Sequence, residues 1–309
     1  MSPSVIFYTC LFTLEDVPII KNNYIKIFLM WFASVVKTKS IGKDDLFVLI
    51  SDRFTSDYLK NYTTFVQLAK KGEIEVYTFI PKQPKTLMEG FMWRYNVLTD
   101  EFLEAQKRDM IFYCDIDILL AKSIKIITDQ VIPNSILVHQ ENFPLKNKGY
   151  GEGITEEEMQ EICKLISEPK GLSCGKFIIS GNKLILKIFK KINDYHEKNQ
   201  EQKIKLQNYE QPLFNRAIYT ELFENKITIG TLDVFCGTFN DVSVLSQNCV
   251  IFDCCGRPGD NDEHMEKMIN LFCFFINVYS YGAIPYSIYY QYKNSLFSRA
   301  SISFLTLRF

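Results

Sequence analysis

The chain has 309 residues, of which 47% are hydrophobic, and its 35 basic and 36 acidic residues give a formal net charge of −1. This length is enough for a substantial core in one large domain or two small ones. The balanced charge creates no overall field that attracts nucleic acid, so we expect no nucleic-acid partner. Nine cysteines without a CxxC pair favour reduced thiols and a cytoplasmic location over a disulfide framework or a zinc site.

The two ends of the chain bear on membrane contact. No basic region precedes the first apolar run, so we expect no signal peptide. The segment from Met268 to Tyr292 has no formal charge and exceeds the about 20 residues that span a bilayer. Its polar residues and the Gly282-to-Pro285 break favour a buried or interface-packed helix instead. A peripheral membrane contact through this segment stays open, and a transmembrane helix is not expected.

Strand and helix patterns alternate through the first part of the chain. The predicted strands are Val5 to Phe12, Asp45 to Ser51, Ile74 to Phe79 and Met110 to Cys114, and the predicted helices are Glu15 to Lys37, Thr55 to Lys71 and Leu87 to Ala105. This alternation is typical of an α/β fold with a mostly parallel, Rossmann-like central sheet. In such sheets ligands bind beyond the carboxyl ends of the strands, where the strand order switches.

Beyond Leu120 the alternation is less regular. The predicted strands are Ser135 to His139, Phe177 to Ser180, Ile227 to Leu232 and Val250 to Phe252, and the predicted helices are Ile154 to Ile166, Leu184 to Lys198 and Asn208 to Phe223. No linker, internal repeat or low-complexity tract separates the two parts. We therefore predict one compact domain with two lobes.

An acidic pair, Asp115 and Asp117, follows the fourth predicted strand inside an otherwise apolar run. Residues at i and i+2 of a β-strand share a face, so we expect both carboxylates to point the same way. Two like charges held together in an apolar setting need a positive partner. A divalent metal ion would supply that charge. The alternative is a strand end that carries two solvated acids.

Five segments resemble, in chain order, motifs of the GT-A-fold glycosyltransferases, particularly the glycogenin-like group. They are Phe91–Tyr95 in the helix before the acidic pair, Cys114–Asp117 as the DxD motif, Ser173–Ile179 as a small-residue turn into a strand, Tyr209–Asn215 as an acidic-Gln-Pro helix start, and Phe252–Gly259 as an HxxGxxG-like closing loop. The resemblance covers roughly residues 5 to 268. Each motif is only moderately specific, and their shared order is more so.

The resemblance implies a single GT-A-type domain over residues 1–309, with a nucleotide-sugar-binding half to about residue 120 and an acceptor half with the closing loop to about residue 267. The apolar C-terminal segment would follow. The implied activity moves a hexosyl or N-acetylhexosaminyl group from a nucleotide-sugar donor, expected to be a UDP-sugar, to an acceptor hydroxyl. The acceptor could be a glycan, a protein or a small molecule, and a homodimer stays open.

The resemblance also implies Mn²⁺ or Mg²⁺ as cofactor, held by Asp115, Asp117 and Asp253. Asp253 stands where the family has a metal-ligating histidine, and a carboxylate suits hard divalent cations. The ion would neutralise the charge that develops on the diphosphate leaving group. Asp115 would share this metal or bind the ribose hydroxyls of the donor.

The resemblance assigns the other donor-binding roles to residues near the two ends of the region it covers. The strand around Tyr8 and Thr9 would hold the base and ribose. Gly256 and Gly259 would let the backbone approach a phosphate, and Lys267 would add a positive charge.

Two further segments would lie beside the sugar. Arg94 would clamp the donor, or else form a surface salt bridge. Glu210 would orient or deprotonate the acceptor hydroxyl and Gln211 would hydrogen-bond the sugar, unless the two simply begin a helix.

Two other functions use the same residues. Asp115 and Asp117 also resemble the DxD of haloacid-dehalogenase-like phosphatases, in which the first aspartate is the nucleophile and Gly259–Asp262 would form the distal acidic loop. A catalytically degenerate glycosyltransferase fold used for binding is the other alternative, supported by the histidine that is missing at Asp253. Nucleotidyl transfer is disfavoured, because no Gly- and Arg-rich phosphate loop follows the first strand.

Overall fold

The computed structural model describes residues 3–14, 24–225, 227–238 and 249–254. The strands in these ranges are β1 (Val5–Leu11), β2 (Leu46–Ser51), β3 (Val76–Phe79), β4 (Met110–Cys114), β5 (Ile118–Leu120), β6 (Ser135–Pro144), β7 (Lys170–Ser180), β8 (Thr228–Thr231), β9 (Cys236–Thr238) and β10 (Ile251–Asp253). The predicted strand positions are confirmed. β6 and β7 are each about twice as long as their apolar cores, because both continue into polar sequence.

The helices are α1 (Tyr24–Lys37), α2 (Arg53–Asn61), α3 (Thr63–Lys71), α4 (Leu87–Asn96), α5 (Asp100–Gln106), α6 (Lys125–Thr128), α7 (Lys148–Gly151), α8 (Glu156–Leu165), α9 (Asn182–Glu201) and α10 (Gln211–Asn225). Two segments predicted as single helices are each divided in two. Tyr62 adopts an extended conformation between α2 and α3. Thr99 is likewise extended, and its side chain accepts a hydrogen bond from the backbone N–H of Phe102, which starts α5 as a new helix.

The main sheet has seven strands in the order β3-β2-β1-β4-β7-β6-β8. β7 is antiparallel to both of its neighbours, and the other pairings are parallel. The predicted α/β fold with a mostly parallel sheet is therefore confirmed. The first four strands follow the 3-2-1-4 order of doubly wound folds, so the switch in strand order lies between β1 and β4.

A smaller sheet in the order β5-β10-β9 lies beside the main one. β10 is antiparallel to β5 and parallel to β9. Only a short turn separates β4 of the main sheet from β5 of the smaller one. That turn contains the acidic pair, so both sheets meet at the candidate site.

Both faces of the main sheet are covered. Alternate residues of β1 enter separate cores: Val5 and Phe7 pack on the side of α1, and Ile6 and Tyr8 pack on the side of α4 and α9. This double burial explains why β1 is a continuous apolar run rather than an alternating one.

None of the described helices is long and apolar enough to cross a membrane. The uncharged segment from Met268 to Tyr292 lies outside the described residues. Gly256, Gly259 and Lys267 lie outside them as well, so their predicted contacts with phosphate stay predictions.

Candidate active site

The acidic pair occupies the turn directly after β4, because the strand ends at Cys114. The predicted position at the carboxyl end of the fourth strand is confirmed. The premise that Asp115 and Asp117 lie on one strand face is wrong, since neither residue belongs to a strand. β1 pairs with β4, which places the turn at the switch in strand order.

The Asp115 side chain is bound by protein groups on one side and partly exposed on the other. Its Oδ1 accepts a hydrogen bond from the Tyr113 hydroxyl and lies 3.4 Å from Nη2 of Arg94. Its backbone N–H donates to the carbonyl oxygen of Gly175 at 2.7 Å. The side chain nevertheless keeps 33% exposure. A ligand at this end of the sheet can therefore reach a carboxylate whose orientation is already fixed.

Arg94 lies in the last turn of α4, and its side chain is 4% exposed. Nη1 donates to the carbonyl oxygen of Cys174 at 2.9 Å and lies 3.3 Å from Oε1 of Glu210. The guanidinium carbon lies 4.5 Å from the centre of the Tyr113 ring. A surface salt bridge is thus excluded for Arg94. Because the guanidinium is enclosed by protein groups, Arg94 holds Asp115 and Glu210 in place, and a direct clamp on the donor does not fit this burial.

Glu210 directly precedes α10 and is as deeply buried as Arg94, its ion-pair partner. Burial raises the pKa of the Glu210 carboxyl, and the Arg94 guanidinium opposes that rise. The predicted contact of Glu210 with an acceptor hydroxyl does not fit this placement. Gln211 is half-buried, and its side-chain amide donates to the carbonyl oxygen of Leu172 at 3.4 Å. Of the two residues, Gln211 is the one that remains accessible to a sugar.

Tyr8 and Thr9 lie within β1 and are fully buried. The Tyr8 hydroxyl donates to the carbonyl oxygen of Arg94 at 3.1 Å, and the Thr9 hydroxyl donates to that of Cys114 at 2.7 Å. The predicted direct contact with base and ribose does not fit, because β1 continues to Leu11 and the accessible end lies beyond it. Tyr8 and Thr9 instead hold the segments that carry Arg94 and Asp115.

Sequence reasoning missed Lys176, which lies on β7 opposite Cys114 and is 2% exposed. Its ammonium group donates to Oδ2 of Asp253, whose side chain is 14% exposed. The pair joins β7 of the main sheet to β10 of the smaller one. A single lysine within the apolar end of a strand was the available signal, because a buried ammonium needs a carboxylate partner.

Metal binding by Asp115, Asp117 and Asp253 stays a prediction. Among them, no three His, Cys, Asp or Glu side chains form a group that could hold a metal ion. Asp253 is paired with Lys176, and Asp115 is paired with Arg94. Asp117 contributes its backbone carbonyl oxygen, which accepts from the N–H of Cys254 at 3.1 Å. Two of the three predicted metal ligands, Asp115 and Asp253, are therefore already paired with protein cations.

Cys10 and Cys174, the cysteines near Arg94 and Asp115, are not suited to nucleophilic attack. Burial raises the pKa of the Cys10 thiol to about 12 and also raises the pKa of Cys174. Because the thiolate is the reactive form, both groups stay protonated and unreactive at neutral pH. The described cysteines that lie elsewhere are also free thiols rather than disulfides.

Gly175 lies directly against Asp115, and a Cβ atom placed on it would be 2.6 Å from Oδ2 of Asp115, so the Asp115 side chain would have to shift. We expect Gly175→Ala to push Asp115 out of place and lower the free energy of unfolding by about 1–3 kcal/mol. Gly230→Ala in β8 is the matched control, because its Cβ would lie 3.4 Å from the nearest Leu137 atom, an ordinary contact. Urea unfolding measures both, and equal stability of the two variants would contradict the expectation.

No protein-family model matches this chain, and no curated protein is similar enough in sequence to count as a relative. The geometry of the cluster and the order of its motifs are therefore the basis for a functional proposal.

Proposed function

We propose that the protein is a glycosyltransferase of GT-A type, which moves a sugar from a nucleotide-sugar donor, expected to be a UDP-sugar, to an acceptor hydroxyl. The observation that supports this proposal is the meeting of all five motif segments in one cluster. Arg94 contacts Asp115, Cys174 and Glu210. Lys176, from the same segment as Cys174, contacts Asp253. The segments are far apart in the sequence, so proximity along the chain does not explain their contacts.

The position of the cluster also supports a nucleotide ligand. Doubly wound sheets bind nucleotides at the carboxyl ends of the strands, at the switch in strand order. The Asp115 turn is at that place, next to the end of β1. Phe12 follows β1, and its ring packs edge-on against Phe91, which packs in the same way against Tyr209. These aromatic rings offer flat apolar surface for a base beside the carboxylate.

The accessible polar groups define the proposed roles. The exposed part of the Asp115 carboxylate would accept hydrogen bonds from the ribose hydroxyls, as an ionised acceptor does well. Gln211 would hydrogen-bond the transferred sugar or the acceptor. Four buried residues hold the accessible groups in position: Arg94, Glu210, Tyr8 and Thr9. Whether Mn²⁺ or Mg²⁺ is required is a separate question, because Asp253 is paired with a lysine.

The experiment is a thermal-unfolding screen of the purified protein with nucleoside diphosphates and UDP-sugars, followed by an assay for consumption of the UDP-sugar. We expect UDP to stabilise the protein by about 2.7 kcal/mol when its concentration is about 100 times Kd. Uridine, which lacks the diphosphate, is the matched control and should stabilise it less.

Three results would argue against the proposal. If no nucleotide shifts the unfolding temperature and no UDP-sugar is consumed, glycosyl transfer is wrong. Nucleotide binding without turnover, across the donor panel, would identify a degenerate binding protein. Phosphatase activity with an acid-stable phosphoryl group on Asp115 would identify the haloacid-dehalogenase-like alternative.

A further inference from the structure

We propose that the Lys176–Asp253 pair excludes a divalent metal ion from this site, so that donor binding does not depend on Mn²⁺ or Mg²⁺. This inference rests on the proposed glycosyl transfer and deepens it, because it states that the donor site works without the divalent ion that the sequence resemblance implied. The ammonium group of Lys176 contacts the carboxylate of Asp253, the residue to which the sequence resemblance assigns the role of a metal ligand.

The first argument is the position of the ammonium group. Lys176 and Cys114 are register partners in β7 and β4, so the lysine is adjacent to the strand that leads into the acidic turn. Lys176 therefore pairs with one predicted metal ligand and lies beside the strand that leads into the turn carrying the other two.

The second argument is electrostatic exclusion. A hard divalent cation needs several oxygen ligands at about 2.0–2.6 Å, and carboxylates are the ones that the protein was predicted to supply here. To reach Asp253, it would have to displace an ammonium group that is almost fully buried and lies between two sheets. A lysine that stayed in place would instead repel the ion at short range, where the low dielectric of the interior leaves the charges poorly screened.

Two of the three predicted metal ligands already have a cationic partner in the chain. Arg94 contacts Asp115 and Glu210, and Lys176 contacts Asp253. Each of these carboxylates has a cationic partner within the chain. In a metal site the carboxylates are instead left available to the ion, and the described part of the chain contains no such group of three.

The test uses the full-length protein stripped with EDTA and measures two quantities. Electron paramagnetic resonance reports free Mn²⁺ in the presence of the protein without nucleotide. Calorimetry reports the Kd of UDP in EDTA and in Mn²⁺. We expect the free Mn²⁺ signal to be undiminished and the Kd of UDP to be the same in both buffers. Stoichiometric Mn²⁺ binding by the wild type, or UDP binding that requires Mn²⁺, would overturn the inference and leave glycosyl transfer intact.

If UDP binds in neither buffer, the proposed function fails, and the Mn²⁺ signal alone still decides whether Lys176 excludes the metal. Lys176→Met removes the ammonium group and should create a Mn²⁺ site, which lowers the resonance signal of free Mn²⁺. Lys170→Met, on the same strand, is the matched control and should not. Lys176→Arg keeps a cation and should exclude Mn²⁺ even if the methionine variant does not fold. A folded Lys176→Met that binds no Mn²⁺, or a Lys176→Arg that binds it, would count against the inference.

Discussion

Replacing Arg94 by methionine is expected to lower the free energy of unfolding by about 3–5 kcal/mol, which is typical of breaking a buried ion pair by removing one partner. The reason is the burial of Glu210, which pairs with the same guanidinium and would keep its charge or bind a proton at a cost. The carbonyl oxygen of Cys174 would also lose its donor. Urea unfolding followed by circular dichroism measures the loss.

Two comparisons isolate the cause. The double variant Arg94→Met with Glu210→Gln removes both charges, and it should recover part of the stability because no uncompensated buried carboxylate remains. Arg53→Met is the control for the loss of an arginine, because Arg53 is 83% exposed and its ion pair with Asp57 is a surface contact. Its stability should be close to that of the wild type. A loss of less than about 1 kcal/mol for Arg94→Met would show that the cluster is solvated and not buried.

The substitution Asp115→Asn is expected to weaken UDP binding by about 10- to 100-fold, because a hydrogen bond to a charged acceptor contributes about 1.5–3 kcal/mol. The amide keeps the shape of the side chain and can still accept from the Tyr113 hydroxyl, so the fold should be preserved. Calorimetric titration measures the Kd. Asp129→Asn, an exposed position with the same change of charge, is the control.

A second nucleotide, 2′-deoxy-UDP, tests whether the Asp115 carboxylate contacts the ribose. If its carboxylate accepts from the ribose, 2′-deoxy-UDP should bind the wild type more weakly than UDP does. The Asp115→Asn variant should then distinguish the two nucleotides less. Equal discrimination in both proteins would place the ribose elsewhere, even if the affinity for UDP had fallen.

The sheet could be predicted from the sequence because its strands are buried on both faces and appear as continuous apolar runs. β4 is an example: its predicted limits, Met110 to Cys114, are the observed ones. Helix breaks were harder to predict. The segment from Thr55 to Lys71 has one apolar period throughout, and only the backbone conformation at Tyr62 divides it.

Membership in the site was more predictable than the roles of its residues. Arg94, Asp115 and Glu210 were all selected from their motifs, and the structure brings them together. Their roles depend on burial, which is decided by packing between α4, β7 and α10 and leaves no local signal. Lys176 was overlooked for a related reason: a lysine at the start of an apolar run resembles an exposed strand residue until its partner, 77 positions later, is known.

The central position of β7 has a consequence for synthesis of the chain. β7 lies between β4 and β6, although it follows both in the sequence, and β6 pairs with β7 and β8. Until residues 170–180 leave the ribosome, β4 is an unpaired edge of apolar backbone, and β6 has no place in the main sheet. Such an edge is open to pairing with other chains. We therefore expect a growing chain that pauses between β6 and β7 to be most exposed to aggregation, and the cluster around Arg94 to form only after β7 has been inserted.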